Sequence, residues 1–218
     1  MVAKKETKEV GFVLPKLKLA ELEIPIMGDT ELIVHAWSYK AKKEMLDKQM
    51  GNASAGREKK DPVRDFEDSL YRIEGGGYGF PSVGFKNAAV TACTSLAGMT
   101  KVAARQAFFV LSEQGWTVRA FDGEKMRQDL VRIEGSEPEM REDMVRVGMG
   151  TADLRYRASF WPWSAIVRVR FNANVLSAAQ IVNLFNTAGF AVGIGEWRME
   201  KDGQSGSFHV ATLKEAAA

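Results

Sequence analysis

Cysteine and histidine are scarce in this sequence. Cys93 is the only cysteine, and His35 and His209 are the only histidines. One cysteine cannot form an intrachain disulfide or a cysteine-rich zinc site, and two histidines give little basis for a histidine-based metal centre. The same scarcity argues against Ser/His/Asp and Cys/His catalytic groups. We therefore expect a protein that is not an enzyme and that needs no cofactor and no metal.

Long apolar runs are also missing. No stretch approaches the roughly 20 apolar residues that a membrane-spanning helix needs, and residues 1–6 are too charged for a signal peptide. We expect a cytoplasmic protein with no membrane partner. The 218 residues are 45% hydrophobic and 27% charged, which suits one or two globular domains. A net charge of +2 says little by itself, so the placement of the basic residues matters more.

The last fifty residues carry the clearest structural pattern. Residues 163–171 alternate between apolar side chains and a mostly basic set, which predicts a strand with one buried face. Ser177 and Gln180 form a capping-box pattern at the start of a helix, and Gly189 is placed to end it. Residues 190–198 then predict a strand, followed by a glycine-rich loop and a final strand at residues 207–210.

The first half of the chain predicts a second strand–helix–strand group. Residues 17–24 predict a strand with a bulge near Ala20, and residues 31–37 its hairpin partner. Ser38 is the predicted N-cap of a short helix, and the polar residues 51–64 predict a mobile loop. Further helices are expected from Val83 to Gly98 and over residues 101–107, and strands over residues 108–111, 130–133, 144–147 and 154–160.

These elements predict an α+β fold. We expect flexible tails at residues 1–9 and 214–218 on either side of a single α+β domain, residues 10–213. A basic loop insertion is expected within this domain at about residues 51–65.

Arginines and tryptophans recur on consecutive predicted strands. Alternation places Arg155 with Arg157 on one face, and Arg168 with Arg170 on another. Arginine binds phosphate and aromatic rings stack on bases, so these residues suit single-stranded nucleic acid. The tryptophans that accompany them are Trp161, Trp163 and Trp197. The alternative is a solvated face whose arginines pair with nearby acids, namely Glu139, Glu142, Asp143 and Asp153.

Two other stretches have a functional and a simpler interpretation. The glycine-rich loop contains Gly193, Gly195, Gly203 and Gly206, and small residues would let a nucleic-acid backbone approach its main-chain N–H groups. The alternative is a β-turn that needs glycine only for positive φ. The basic residues 40–64 would either clamp a polyanion or form a solvated loop. Asp61 in this stretch and Asp65 just after it are the carboxylate pair that could support metal-assisted phosphodiester cleavage.

Two segments resemble one known family. Residues 80–88, with the sequence FPSVGFKNA, resemble the Pro-Gly-Ser-Ser-Leu-Lys-Gly helix entry of the repeat-associated mystery proteins, which include the backbone subunits of CRISPR effector complexes. Residues 193–198 and 206–210 resemble the C-terminal glycine-rich loop and last strand of that family. Gly84, Phe85 and Asn87 stand where the family pattern has Ser, Leu and Gly. Such departures are typical of a remote relative, for example a phage protein with a different ligand.

The resemblance implies a ferredoxin-like fold, a modified RRM type with an antiparallel sheet, helices on one face and a mobile insertion that acts as a thumb. It also implies RNA binding and stacking into filaments. The residues that it marks as binding candidates are Lys86, Gly193, Gly195, Arg198 and Gly206.

Three hypotheses of function follow. The first is a non-enzymatic protein that binds single-stranded nucleic acid, RNA more than DNA, and oligomerises along it as a homo-oligomer or filament. The second is a structural or partner-binding assembly protein on the same scaffold without nucleic acid. The third is a metal-dependent endoribonuclease that uses Asp61 and Asp65.

Overall fold

The structure is a computed structural model that describes residues 16–37, 39–52, 59–95, 98–118, 125–148, 150–212 and 215. The helices are α1 (Tyr39–Gln49), α2 (Pro62–Ser69), α3 (Ser82–Ala92), α4 (Lys101–Ala107) and α5 (Ala178–Ala191). The strands are β1 (Leu19–Gly28), β2 (Leu32–Val34), β3 (Tyr78–Pro81), β4 (Phe108–Leu111), β5 (Glu113–Val118), β6 (Lys125–Gly135), β7 (Glu139–Val147), β8 (Thr151–Phe160), β9 (Trp163–Asn172) and β10 (Phe208–Val210). The α+β class is confirmed.

A seven-stranded sheet, called here the main sheet, is built around β9. One edge of β9 pairs with β1, residue by residue from Leu19 opposite Asn172 to Met27 opposite Ser164. Its other edge pairs first with β6 and then with β4. Because β10 adds to the free edge of β1, the strands follow the order β10–β1–β9–β4, and β6 continues the sheet to β3 and β5. Each of these pairings is antiparallel.

The alternation in β9 decides which face of the main sheet is buried. Its apolar residues at 163, 165, 167, 169 and 171 are at most 4% exposed and form the centre of the core. Helices α3 and α5 cover this face, with Phe85 and Phe185 fully buried against it. Ser177 and Gln180 form the predicted capping box at the start of α5.

The second sheet has three strands in the order β2–β8–β7, also antiparallel. Helix α2 packs against β8, and the Ser69 hydroxyl accepts a hydrogen bond of 2.8 Å from the backbone N–H of Ala158. The chain after α5 packs against this second sheet, because the N–H of Glu196 donates to the carbonyl of Ile33 in β2.

The predicted hairpin between residues 17–24 and 31–37 is wrong. Strand β1 extends to Gly28 and pairs with β9 and β10, whereas β2 belongs to the second sheet. The unbroken β1–β9 register also excludes a bulge near Ala20. The change of phase in the sequence arises because Leu17 and Leu19 are exposed, so that only residues from Ala20 onward follow the buried face.

The strand predicted at residues 190–198 is also wrong. Helix α5 continues through Gly189 to Ala191, and turns follow it. Gly189 is needed inside the helix because a Cβ there would clash with the carbonyl of Phe208 in β10. The left-handed residue that follows the helix is instead Gly193, which has a φ of 71° and donates its N–H to the Ala188 carbonyl.

Helix α2 and strand β5 were not predicted. Since α2 begins at Pro62, the loop predicted at residues 51–64 ends earlier than expected. Residues 53–58 of that loop, the N-cap role of Ser38, the tail at residues 1–9 and the tail at residues 214–218 apart from residue 215 lie outside the described residues. Among the helices that the structure describes, none combines the length and the apolar character that crossing a membrane requires.

Candidate nucleic-acid interface

A groove of about 460 Å³ lies between α3, α4 and the segment that follows α5, residues 192–207, which we call the closing loop. Helix α3 forms one wall with Gly84, Asn87, Ala88 and Thr91, which recur at helical spacing on one side of the helix. The opposite wall is the closing loop, including Gly193 and Gly195. Each wall thus includes positions with little or no side chain, where main-chain atoms lie near the groove.

Three further cations line the groove. Lys101 and Arg105 are four residues apart on α4 and project from the same side of that helix. Lys201 lies in the closing loop. All three are exposed, and none has an ion-pair partner among the described residues. These cations give the groove a positive edge that an anionic ligand would neutralise.

Arg198 has a different position in the closing loop. Its Nη1 donates to the carbonyl of Gly195 at 3.1 Å, and its Nε and Nη2 donate to Glu200 at 3.1 and 2.9 Å. These bonds hold the guanidinium against its own loop and neutralise its charge. Arg198 lines the groove, where it shapes the wall and adds little net charge, and its role toward a ligand stays a prediction.

The closing loop is held against β2 by main-chain hydrogen bonds. Glu196 N–H donates to Ile33 at 2.9 Å and Gly206 N–H donates to Glu31 at 2.8 Å. A Cβ on Gly195 would lie 2.5 Å from the Ile33 carbonyl, and a Cβ on Gly206 would clash with the carbonyl of Ile194. Both glycines also have positive φ. The internal packing of the chain therefore accounts for them, and a role toward a ligand stays a prediction.

An ion-pair network centred on the buried Arg157 holds the closing loop against the second sheet. Arg157 on β8 is 1% exposed and pairs with Asp143 at 2.8 Å and with Glu196 at 3.3 Å. Arg141 pairs with Asp143 at 2.9 Å and also with Glu31. Desolvation acts to lower the pKa of Arg141, but hydrogen bonding to Asp143 and the charge of Glu31 outweigh it and raise that pKa.

A phosphate-binding role for Arg157, predicted above, does not fit this position because two carboxylates and the surrounding core enclose its guanidinium. Arg155, on the same face of β8, is more exposed and lies 3.8 Å from Asp153. The simpler interpretation of the sequence, in which these arginines pair with nearby acids, fits both.

The tryptophans occupy unequal environments. Trp163 is 2% exposed, and its indole Nε1–H donates to the Thr30 carbonyl at 2.8 Å. The predicted base-stacking role does not fit Trp163, since its ring faces are covered by the core. Trp161 and Trp197 are exposed. Trp197 lies in the closing loop with the guanidinium groups of Arg141 and Arg157 each 5.9 Å from its ring centroid.

The other predicted residues lie outside the groove. Arg168 and Arg170 project from the uncovered face of the main sheet, where Arg170 pairs with Glu21 at 2.7 Å. Lys86 on α3 places its Nζ 4.6 Å from the ring centroid of Phe109. The predicted site therefore divides among the groove, the second sheet and the main sheet, and does not form one surface.

Sequence analysis missed the residues that give the groove its charge. The sequence predicted a helix over Lys101 and Arg105. Their spacing of four residues places both on one side of that short helix, which Thr100 caps, and this spacing is the signal that could have identified them. Lys201 carries no comparable signal, because its position depends on the turn that begins at Arg198.

His35 and Tyr71 form part of the groove lining beside the closing loop. Desolvation lowers the pKa of His35; the charge of Glu196 opposes this and the charge of Arg157 adds to it, so the neutral imidazole is favoured. Burial, and secondly the charge of Glu196, raise the pKa of Tyr71 to about 12. The Tyr71 hydroxyl donates to the His35 carbonyl at 3.3 Å. This end of the groove thus offers neutral polar groups.

Of the two carboxylates in the nuclease hypothesis, Asp61 has a local structural role. Asp61 is the N-cap of α2, and its Oδ1 accepts from the N–H groups of Val63 at 3.1 Å and Arg64 at 3.2 Å. Asp65 lies one turn further, within the helix. Within the described residues, no group of three or more His, Cys, Asp or Glu side chains is arranged to hold a metal ion.

No family model and no curated protein sequence matches the chain. Among solved structures, the crystal structure of Cmr6 from Pyrococcus furiosus is similar, with 8% sequence identity and a TM-score of 0.42. The match covers 90% of this chain and 100% of that chain. The chain thus bears a remote structural resemblance to Cmr6, and the groove residues are assigned on their geometry alone.

Proposed function

We propose that this chain is a non-enzymatic protein that binds single-stranded nucleic acid, RNA in preference to DNA, in the groove beside the closing loop. In this proposal several copies assemble along one strand. The scaffold is a ferredoxin-like core: α3 lies between β1 and β4 in sequence, α5 lies between β9 and β10, and the strand order β10–β1–β9–β4 supports this assignment.

The observation that carries the proposal is that Lys101, Arg105 and Lys201 line one groove and have no ion-pair partner in the part of the chain that the structure describes. A polyanion that neutralises lysines and arginines releases its condensed counterions, which is the main sequence-independent source of affinity for nucleic acid. Phosphates along the groove would meet the two α4 cations on one side and Lys201 on the other. The compensated Arg198 would contribute shape and no net charge.

The neutral groups of the groove support a single-stranded ligand. Asn87 and Thr91 on α3, with His35 and Tyr71 across from them, offer hydrogen-bond donors and acceptors to base edges or to a ribose 2′-hydroxyl. A base-paired helix would keep its base edges in Watson–Crick pairs and away from these groups. The exposed ring of Trp197 is the candidate for stacking on a base.

The test is fluorescence anisotropy with labelled single-stranded RNA and DNA of equal length and mixed sequence, over a series of salt concentrations. We expect Lys101→Ala and Arg105→Ala to weaken binding at low salt. Each should also reduce the slope of log K against log salt by about 0.7, the value for one lost contact to a single strand. Lys18→Ala is the matched control, because Lys18 is exposed outside the groove and should leave the slope unchanged.

Two results would contradict the proposal. Binding that is as tight in Lys101→Ala and Arg105→Ala as in the wild-type chain would remove the groove as the interface. No binding of either polynucleotide at low salt would remove the function itself. The second candidate, a structural or partner-binding protein without nucleic acid, would then take its place, and the uncovered face of the main sheet favours it.

A further inference from the structure

The face of the main sheet opposite α3 and α5, called here the outer face, is exposed. It presents Glu21 and Glu23 from β1, Ile166, Arg168 and Arg170 from β9, and Phe109 from β4. Ile166 is 59% exposed and Phe109 is 56% exposed, although both lie on paired strands of the seven-stranded main sheet. Helices α3 and α5 both pack on the other side. Helix α3 reaches this face only at the β4 edge, where Lys86 Nζ lies 4.6 Å from the ring centroid of Phe109.

Charge is arranged on the outer face in two parallel columns. Glu21 is opposite Arg170 and Glu23 is opposite Arg168 in the β1–β9 register, so an acidic column on β1 runs beside a basic column on β9. The first pair is joined within the chain at 2.7 Å. The second pair is not joined, and neither Glu23 nor Arg168 has an ion-pair partner among the described residues.

We propose that the outer face is a two-fold interface between two copies of this chain. A two-fold axis that lies between the facing sheets, parallel to the strands and midway between β1 and β9, brings β1 of each copy over β9 of the other. Every residue of β1 then faces the residue that is its cross-strand neighbour in the partner copy. Each Glu23 meets the other copy's Arg168, and the interface is isologous and closes on itself.

The apolar residues of the outer face follow the same symmetry. Pro25 is opposite Ile166 in the β1–β9 register, so the axis places each Pro25 against the Ile166 of the other copy. Two sheets that pack face to face lie about 10 Å apart, which side chains of this size can fill. The face is smaller than the roughly 20–30 residues a side of a standard interface, so we expect a weak dimer.

This dimer does not depend on the proposed nucleic-acid groove. The groove is formed by α3, α4 and the closing loop, and α3 covers the face of the sheet that is turned away from the interface. Both grooves therefore stay open in the dimer. Nuclease treatment before measurement separates self-association from assembly along a bound polynucleotide.

The test is a charge exchange followed by sedimentation velocity on nuclease-treated protein, at concentrations from the micromolar to the millimolar range. Glu23→Arg places two cations face to face across the axis, and Arg168→Glu places two carboxylates there. We expect each variant alone to raise the dimer Kd at least about tenfold. In an equimolar mixture of the two variants, each introduced arginine faces the other variant's introduced glutamate. The native Arg168 of one variant likewise faces the native Glu23 of the other, so dimers form again.

Arg146→Glu is the control, since Arg146 is an exposed arginine on β7 of the second sheet and should leave the dimer unchanged. The double variant Glu23→Arg/Arg168→Glu should also dimerise, which shows that the single variants lose the contact and not the fold. A monomeric wild-type chain throughout the range, single variants that associate as the wild type does, or a mixture that fails to recover would each overturn the proposal.

Discussion

Arg157 Nη2 lies 2.8 Å from Asp143 Oδ2, and both side chains are buried. The same guanidinium extends its Nη1 to Glu196 in the closing loop at 3.3 Å. Arg157 thus links Asp143 on the neighbouring strand β7 to Glu196 in the closing loop, which forms one wall of the groove. Its Nε has no hydrogen-bond partner among the described residues, so the charge of its two carboxylates must offset an incomplete set of bonds.

Removal of this arginine should be costly. Arg157→Ala leaves Asp143 buried with only Arg141 beside it and frees Glu196, and we expect the free energy of unfolding to fall by about 3–5 kcal/mol. Urea denaturation followed by tryptophan fluorescence measures the change. Arg155→Ala on the same face of β8 is the matched control. Its ion pair is partly exposed, so a loss below about 1 kcal/mol is expected. Equal losses in the two variants would show that the network does not stabilise the fold.

The contrast between Arg155 and Arg157 shows what the sequence could predict. Alternation correctly placed both arginines on one face of a strand, as it correctly placed the buried residues of β9. It could not reveal that the closing loop covers Arg157 and leaves Arg155 open, because that contact joins residues 39 positions apart. Local patterns specify strands and caps, whereas the burial of a charge depends on which distant segment packs over it.

The groove illustrates the same limit. The helix at residues 101–107 and the glycines of the closing loop were predicted from local signals. The placement of Lys101 and Lys201 on the lining of one groove arises from the packing of α4 and the closing loop around α3, for which no local signal exists. The false strand at residues 190–198 has a similar cause, since the apolar residues after Gly189 continue a helix that β10 packs against.

Gly206 should tolerate substitution less well than another glycine of similar conformation. Gly206 and Gly148 have φ values of 71° and 70°, so alanine is strained at both. At Gly206 the new Cβ would also clash with the Ile194 carbonyl, whereas nothing lies within 4 Å at Gly148. We expect Gly206→Ala to lower the free energy of unfolding by about 1–3 kcal/mol more than Gly148→Ala does. Urea denaturation of the two variants measures this difference, and equal losses would contradict the close packing of the closing loop.

Tyr71 should make stability depend on alkaline pH. Burial raises its pKa to about 12 from an unfolded value of 10.0, so the folded chain holds the phenolic proton more tightly than the unfolded chain. The contribution of Tyr71 to stability is therefore complete below pH 10 and is lost as the pH rises from 10 toward 12. Ultraviolet titration of tyrosinate should show a late step that Tyr71→Phe removes. A wild-type titration without that step would contradict the buried position of the hydroxyl.

Substitution of Asp61 distinguishes a structural role of this residue from a catalytic one. Because Asp61 caps α2, Asp61→Ala should cost about 0.5–2 kcal/mol of stability, while Asp61→Ser should retain most of the cap. Thermal denaturation measures both. We also expect no cleavage of single-stranded RNA in the presence of Mg²⁺ or Mn²⁺ by the wild-type chain or by either variant. Divalent-dependent cleavage that Asp61→Ala or Asp65→Ala abolishes would establish the nuclease hypothesis instead.

The position of β1 between β9 and β10 has a consequence for how the chain folds during synthesis. Both partners of β1 lie within residues 163–210, so neither edge of this strand can pair until that distant segment has begun to leave the ribosome. Until then β1 presents two open edges and the apolar side chains of Ile24 and Ile26. The main sheet must therefore form late in translation, and truncation before residue 163 should yield an aggregating product that depends on chaperones.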